Sequence, residues 1–161
     1  MLNVLLRTGA KDALLAGIAD REACRKCYAA NIGDTLTLTV GGSLAALSEK
    51  ARITGRLVRR GDILGYAGDS AGAAATIDCG GVTVVITERR TAFTNAAIFA
   101  SAELDISRYR IIVVKLGYLF PELARIAPRA ILALTPGSST ENLADMGHRN
   151  IHRPLDDDFM R

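Results

Sequence analysis

Arg110-Ile111-Ile112-Val113-Val114-Lys115 is the stretch whose reading decides the fold. Four β-branched residues bounded by charges leave no polar face, the pattern of a strand covered on both sides. Such strands are usually parallel, because the crossovers that join parallel strands lay helices over the sheet. Downstream, the spacing from Phe120 to Ile126 predicts a helix, and Ala130-Ile131-Leu132-Ala133-Leu134 reads as a second apolar strand. Residues 110–135 are therefore expected to form a βαβ unit with a crossover near its minimum length, closed by Thr135-Pro136-Gly137.

Upstream of this unit the hydrophobic period is different. Leu36, Leu38 and Val40 alternate with Thr35, Thr37 and Thr39, as in a strand with one buried face. After Gly41-Gly42 a second alternating run extends from Arg52 to Arg59, with Ile53 and Leu57 on one side and Arg52, Thr54 and Arg56 on the other. These two runs are expected to pair. Thr76-Ile77 and the run from Val82 to Thr87 flank Asp78-Cys79-Gly80-Gly81, a hairpin signal. Residues 61–75 are rich in Gly and Ala and show no period, so they read as loop.

At the start, Leu2, Leu5 and Leu6 have helical spacing without a capping residue, which reads as a chain that begins inside an element. Ala13-Leu14-Leu15-Ala16-Gly17-Ile18 is ambiguous between strand and helix, whereas Asp20 before Arg21-Glu22 predicts an N-capped helix from about Asp20 to Asn31. A last helix is expected near Thr140, before a polar tail from Arg153 to Arg161. The expected fold class is thus α/β (mixed α+β), with antiparallel strands and a hairpin in the first half and a βαβ unit with a buried parallel strand in the second. One domain over residues 1–161 accounts for the length.

Composition narrows the function classes. A hydrophobic share of 49% with 23% charged residues suits a globular domain and excludes a disordered chain. No apolar run approaches the roughly 20 residues of a membrane span, and the first residues lack the form of a signal peptide. Three cysteines make no disulfide framework, and a reducing compartment, the cytoplasm, is expected. The net charge of +3 comes from 20 basic and 17 acidic residues scattered along the chain, without a basic tail to neutralise phosphates. Neither nucleic acid nor membrane is an expected partner.

Several motifs carry chemistry elsewhere and less here. Cys24-Arg25-Lys26-Cys27 has metal or redox spacing, but with Cys79 alone no second pair completes a four-ligand site, and two small residues packing on a helix account for the pattern. His148 and His152 are spaced i to i+4, yet Pro154 argues against a helix, and Arg149 and Arg153 repel a cation. Gly68-Asp69-Ser70-Ala71-Gly72 matches the nucleophile-elbow pattern without the strand-to-helix context that makes it one. No catalytic residue and no metal ligand is assigned. Lys115 stands at the carboxyl end of the expected central strand, where open α/β sheets place ligands. Tyr118 is positioned to share that crevice, and Arg89-Arg90 lies just beyond the hairpin.

Taken together, Thr87-Glu88-Arg89-Arg90-Thr91-Ala92-Phe93, a helix ending Ile98-Phe99, Tyr109-Arg110-Ile111-Ile112-Val113-Val114-Lys115-Leu116-Gly117-Tyr118 and Thr135-Pro136-Gly137 resemble the C-terminal region of the microcystinase-like (MlrC-like) metallopeptidases. Gly9 to Leu14, Gly33 to Gly42 and the strand around Gly55-Arg56-Leu57 extend the similarity over nearly the whole chain. The chain departs from the family after the double glycine: Ser43 and Leu44-Ala45-Ala46-Leu47 stand where lysine and a Gly/Pro-containing loop are usual. The resemblance implies a zinc-dependent hydrolase of peptide-like or small amide substrates, with zinc and catalytic groups in an N-terminal domain that this sequence lacks. On that reading the chain alone is inactive, its partner is the N-terminal catalytic domain, and Lys115, Arg89 and Tyr118 contact substrate. Its rivals are a non-catalytic binding module and a structural domain for homo-oligomerisation. A severed domain should expose an apolar patch at the Leu2, Leu5, Leu6 face and the strand-end crevice.

Overall fold

The computed structural model describes residues 1–42 and 49–133. Its elements are α1 (Leu2–Arg7), β1 (Ala13–Ala19), α2 (Arg21–Ala29), β2 (Thr35–Val40), β3 (Ala51–Leu64), β4 (Ser70–Asp78), β5 (Val82–Thr87), α3 (Ala96–Ser101), β6 (Ile111–Val114) and α4 (Pro121–Ile126), with a 3-10 turn at Ile106–Arg108. The six strands form one mixed sheet in the order β2-β3-β4-β5-β1-β6. From β2 to β5 the pairing is antiparallel; β1 lies between β5 and β6 and is parallel to both. The α/β class with an antiparallel first half is therefore what the chain adopts. The two alternating runs pair as expected, Leu38 opposite Ile53, and the 78–81 turn joins β4 to β5.

Each face of the sheet carries its own core. Ala13 and Leu15 of β1, Ile77 of β4, and Val82, Val84 and Ile86 of β5 point to the face covered by Leu2 and Leu5 of α1 and by Ala23, Cys24 and Cys27 of α2. Leu14, Ala16, Ala74 and Val85 point to the other, under Phe93, Ile98 and Phe99 of α3's neighbourhood and Leu123 of α4. Period-2 alternation inside an all-apolar run thus places β1 between two layers of helix. Burying a side chain such as Leu14 or Phe99 contributes about 1.5–3 kcal/mol, so these two layers hold most of the stability.

Three expectations are corrected. The parallel strand at Ile111–Val114 exists, but among the described residues it is an edge strand and not a central one: Ile111 and Ile112 are 42% and 39% exposed. Its β-branched run reflects pairing with β1, whose doubly covered position it was expected to hold. Ala130 to Ala133 form no strand, and Ile131 and Leu132 are 82% and 60% exposed; Leu134 lies outside the described residues. An apolar run alone cannot distinguish a strand from loop without a partner edge to accept it. The parallel crossover comes earlier instead, from β5 through α3 to β6, stepping over β1. Finally, residues 61–75 are mostly strand: β3 continues to Leu64 and β4 begins at Ser70, with small residues where the strands turn across register shifts.

Leu2 and Leu5 are 7% and 6% exposed, so the amino-terminal leucine face is packed on the sheet and is not a free surface. The expected helix near Thr140, His148, His152 and the 43–47 loop lie outside the described residues. None of the described helices is long and apolar enough to cross a membrane.

Candidate functional site

The carboxyl ends of β1 and β5 meet the amino end of α2, and Asp20 organises the junction. Its backbone N–H donates to the Thr87 carbonyl at 2.9 Å, fastening β1 to β5 where both strands end. One carboxylate oxygen accepts from Ala23 N at 3.0 Å, capping α2, and the other accepts from Gly41 N at 3.1 Å, drawing in the turn that ends β2. The side chain is 7% exposed, yet both oxygens are satisfied, as a buried carboxylate requires. Below the junction, β1 carries one extra residue relative to β5 between Leu15 and Ile18. Gly17 takes up the irregularity at φ +89°, and a Cβ there would lie 3.0 Å from the Thr91 carbonyl and 3.3 Å from Phe93. Only glycine lets the segment after β5 pass this close.

Outside these strand ends opens a cleft of about 1160 Å³, lined by Asp20, Arg21, Glu22, Arg25, Lys26 and Thr39, Gly41, Lys50, Glu88, Arg89 and Arg90 among others. This is the location where open α/β sheets place ligands, because strand order changes there and helix N–H groups point outward. A recess of about 220 Å³ between Arg21, Cys24, Arg25, Tyr28, Ala73 and Glu88 adjoins it.

The cleft's three carboxylates are already engaged. Asp20 caps α2 and holds Gly41; Glu22 meets Lys26 at 2.7 Å, one turn along the helix; Glu88 faces Arg21 Nε at 3.8 Å. The hydrogen bond from Lys26 holds the Glu22 carboxyl below the usual carboxylate range, and the same contact raises the Lys26 ammonium. Arg25, Lys50, Arg89 and Arg90 form no ion pair among the described residues.

Of the residues singled out from sequence, Arg89 lines the cleft and Lys115 and Tyr118 do not. Lys115 is exposed one residue past Val114, which pairs with Ala16, so β6 stops short of the level where β1 and β5 end. Tyr118 stacks on Phe120 with ring centroids 4.8 Å apart, and Tyr66 meets Phe120 edge-on at 5.8 Å, a separate aromatic surface. Arg21, Arg25 and Lys50, from two separate stretches of chain, carried no signal of a site in the sequence, and Asp20 read there only as a helix cap.

Cys24 and Cys27 share the buried face of α2, 2% and 0% exposed. Burial pushes both thiols, and that of Cys79 at the hairpin, up to about 11, which keeps them protonated and unreactive at neutral pH. Ser70 begins β4, a strand, and donates to Asp62 at 3.2 Å, so the Gly-x-Ser-x-Gly match is a strand-to-strand turn without a following helix.

The comparisons with known proteins agree with this architecture. No curated protein matches the chain. Among solved structures, the crystal structure of a protein from Mesorhizobium sp. BNC1 described as a "Putative metallopeptidase" superposes with a TM-score of 0.73 at 23% identity, over 84% of this chain. That match covers 29% of the Mesorhizobium chain, so the present sequence corresponds to under a third of its length and shares the fold of that part. The model of the family described as MlrC C-terminus matches residues 1–150, and the chain therefore belongs to that family.

Proposed function

We propose that this chain is the C-terminal domain of a zinc-dependent hydrolase of peptide or other small amide bonds, and that its cationic cleft forms one wall of the substrate site. The observation that carries the reading is membership of the MlrC C-terminus family, combined with a ligand-sized cleft at the carboxyl ends of parallel strands. The name of the Mesorhizobium protein supports the same chemistry for a longer chain of this fold.

Among the described residues no group of three His, Cys, Asp or Glu side chains is arranged to hold a metal ion. Both oxygens of Asp20 are taken by backbone N–H groups, and Cys24 and Cys27 lie on the buried face of α2 without further ligands among the described residues, so these residues do not fit a zinc site. In this proposal the zinc belongs to an N-terminal partner domain, and this chain supplies shape and positive charge. Arg89 binds a substrate carboxylate or a developing oxyanion, an electrostatic role that requires no metal ligand. Lys115 and Tyr118, beyond the end of β6, are the alternative substrate contact, in place of the cleft and not together with it. Three free cysteines favour the cytoplasm as the compartment.

The test is amide hydrolysis with added zinc by the purified chain, alone and mixed with the N-terminal domain of a family member. Activity confined to the mixture supports the proposal. Zinc-dependent hydrolysis by this chain alone would overturn it.

A further inference from the structure

We infer that the strand-end cleft is a binding site for small molecules bearing two or more carboxylates, which would make acidic peptides or acidic amides the substrate class. The inference rests on the functional reading above only for the word substrate; the binding site stands on charge and geometry.

Of the chain's 20 basic and 17 acidic residues, six and three line this one cleft. Among the described residues, which hold 17 basic and 12 acidic side chains, the cleft carries +3 of a net +5. In sequence these cations are dispersed over Arg21 to Lys26, Lys50 and Arg89-Arg90; the fold collects them. Gathering like charges costs self-repulsion that a surface has no reason to sustain without a counter-charge.

Among the described residues the local carboxylates offset only part of this charge. Glu22 and Glu88 offset Lys26 and Arg21, and Asp20 is turned into backbone N–H groups of α2 and Gly41. Arg25, Lys50, Arg89 and Arg90 are left as an exposed set around a concavity. Four cations from three segments, spread around a volume of about 1160 Å³, suit several separated negative groups better than a single compact one. Planar guanidinium groups favour carboxylate pairing through two parallel hydrogen bonds. The concave shape favours a small ligand over an extended polyanion.

Isothermal titration calorimetry on the 161-residue chain tests this without zinc and without a partner domain. The probes are glutamyl-glutamate, the uncharged N-acetyl-glutaminyl-glutamine amide and inorganic phosphate, each at low and at high salt. The variants are Arg25→Gln and Arg90→Gln, both exposed positions, with Arg125→Gln on α4 as a control outside the cleft. The expected result is binding of glutamyl-glutamate that weakens with salt and falls about ten-fold in each cleft variant, the loss of one charge-assisted hydrogen bond, but not in the control. Absence of binding, equal binding of the uncharged dipeptide, or an equal loss in Arg125→Gln would overturn the site. Phosphate binding tighter than the dipeptide by an order of magnitude would overturn the carboxylate assignment. Binding without reconstituted hydrolysis would sink the enzymatic reading alone; zinc-dependent hydrolysis without binding would sink this inference alone.

Discussion

Replacing Asp20 with alanine removes the group that ties three elements together beside the cleft, and the size of the effect follows from its two hydrogen bonds. Loss of an N-cap costs about 0.5–2 kcal/mol. Leaving the part-buried Gly41 N–H without its acceptor at 3.1 Å adds about 1–3 kcal/mol. The sum is about 1.5–5 kcal/mol, which for a domain of this size corresponds to a fall in Tm of about 3–20 °C. Asp20→Asn discriminates the cause. Its carbonyl oxygen still accepts from Ala23 N, but its amide NH2 faces the Gly41 N–H, so it is expected to lose about half as much. Thermal unfolding followed by far-UV circular dichroism reads both variants. A change of less than about 2 °C for Asp20→Ala would refute the reasoning. Equal losses for the two variants would show that charge, and not the pair of accepted hydrogen bonds, is what the junction needs.

Two further expectations concern the scaffold. Arg59 is 9% exposed and its guanidinium donates to the carbonyls of Gly61 at 3.1 Å, Asp62 at 2.8 Å and Ser101 at 2.9 Å, joining the bent part of β3 to the end of α3. Arg59→Met should lower stability by about 2–4 kcal/mol in urea unfolding, whereas Glu103→Gln, removing its 76% exposed partner, should cost under about 1 kcal/mol; the reverse order would contradict the assignment. The cysteine thiols give a pH dependence of definite sign. Their pKa values are raised on folding, so the neutral form is favoured in the native state, and that stabilisation is complete below the unfolded value and lost as pH rises through about 11. Stability should therefore fall from pH 9 towards 11, and a Cys24→Ala, Cys27→Ala, Cys79→Ala chain should show a flatter alkaline limb; identical limbs would argue against the assignment.

How much of this was legible in the sequence differs by element, for physical reasons. The Thr-alternating strand β2, its partner β3 and the Asp78 to Gly81 hairpin were readable because a two-residue period and a tight turn are local properties. The Asp20 cap was readable because capping acts over three residues. The order of the parallel strands was not. Ala13 to Ile18 and Ile111 to Val114 are similar apolar runs, and which one is interior depends on crossovers that no local pattern encodes. β4 was hidden because Ala71, Ala73, Ala74 and Ala75 carry little strand preference of their own and are held by β3 and β5 on either side. Arg89 was singled out through resemblance, and with Arg90 was placed just beyond the hairpin. That both share a cleft with Arg25 and Lys50 was not legible, since a cluster made of residues from separate segments exists only once the sheet brings α2, the end of β2 and the end of β5 together.

The account turns on which strand end receives the ligand, and backbone amide chemical-shift mapping on the isotope-labelled chain, titrated with glutamyl-glutamate, decides it most directly. The prediction is a contiguous set of shifts at residues 20–26, at Gly41 and Lys50, and at 88–90, with Lys115 to Phe120 unmoved. Shifts centred on Lys115, Tyr118 and Phe120, with the Asp20 junction silent, would contradict it and move the site to the end of β6.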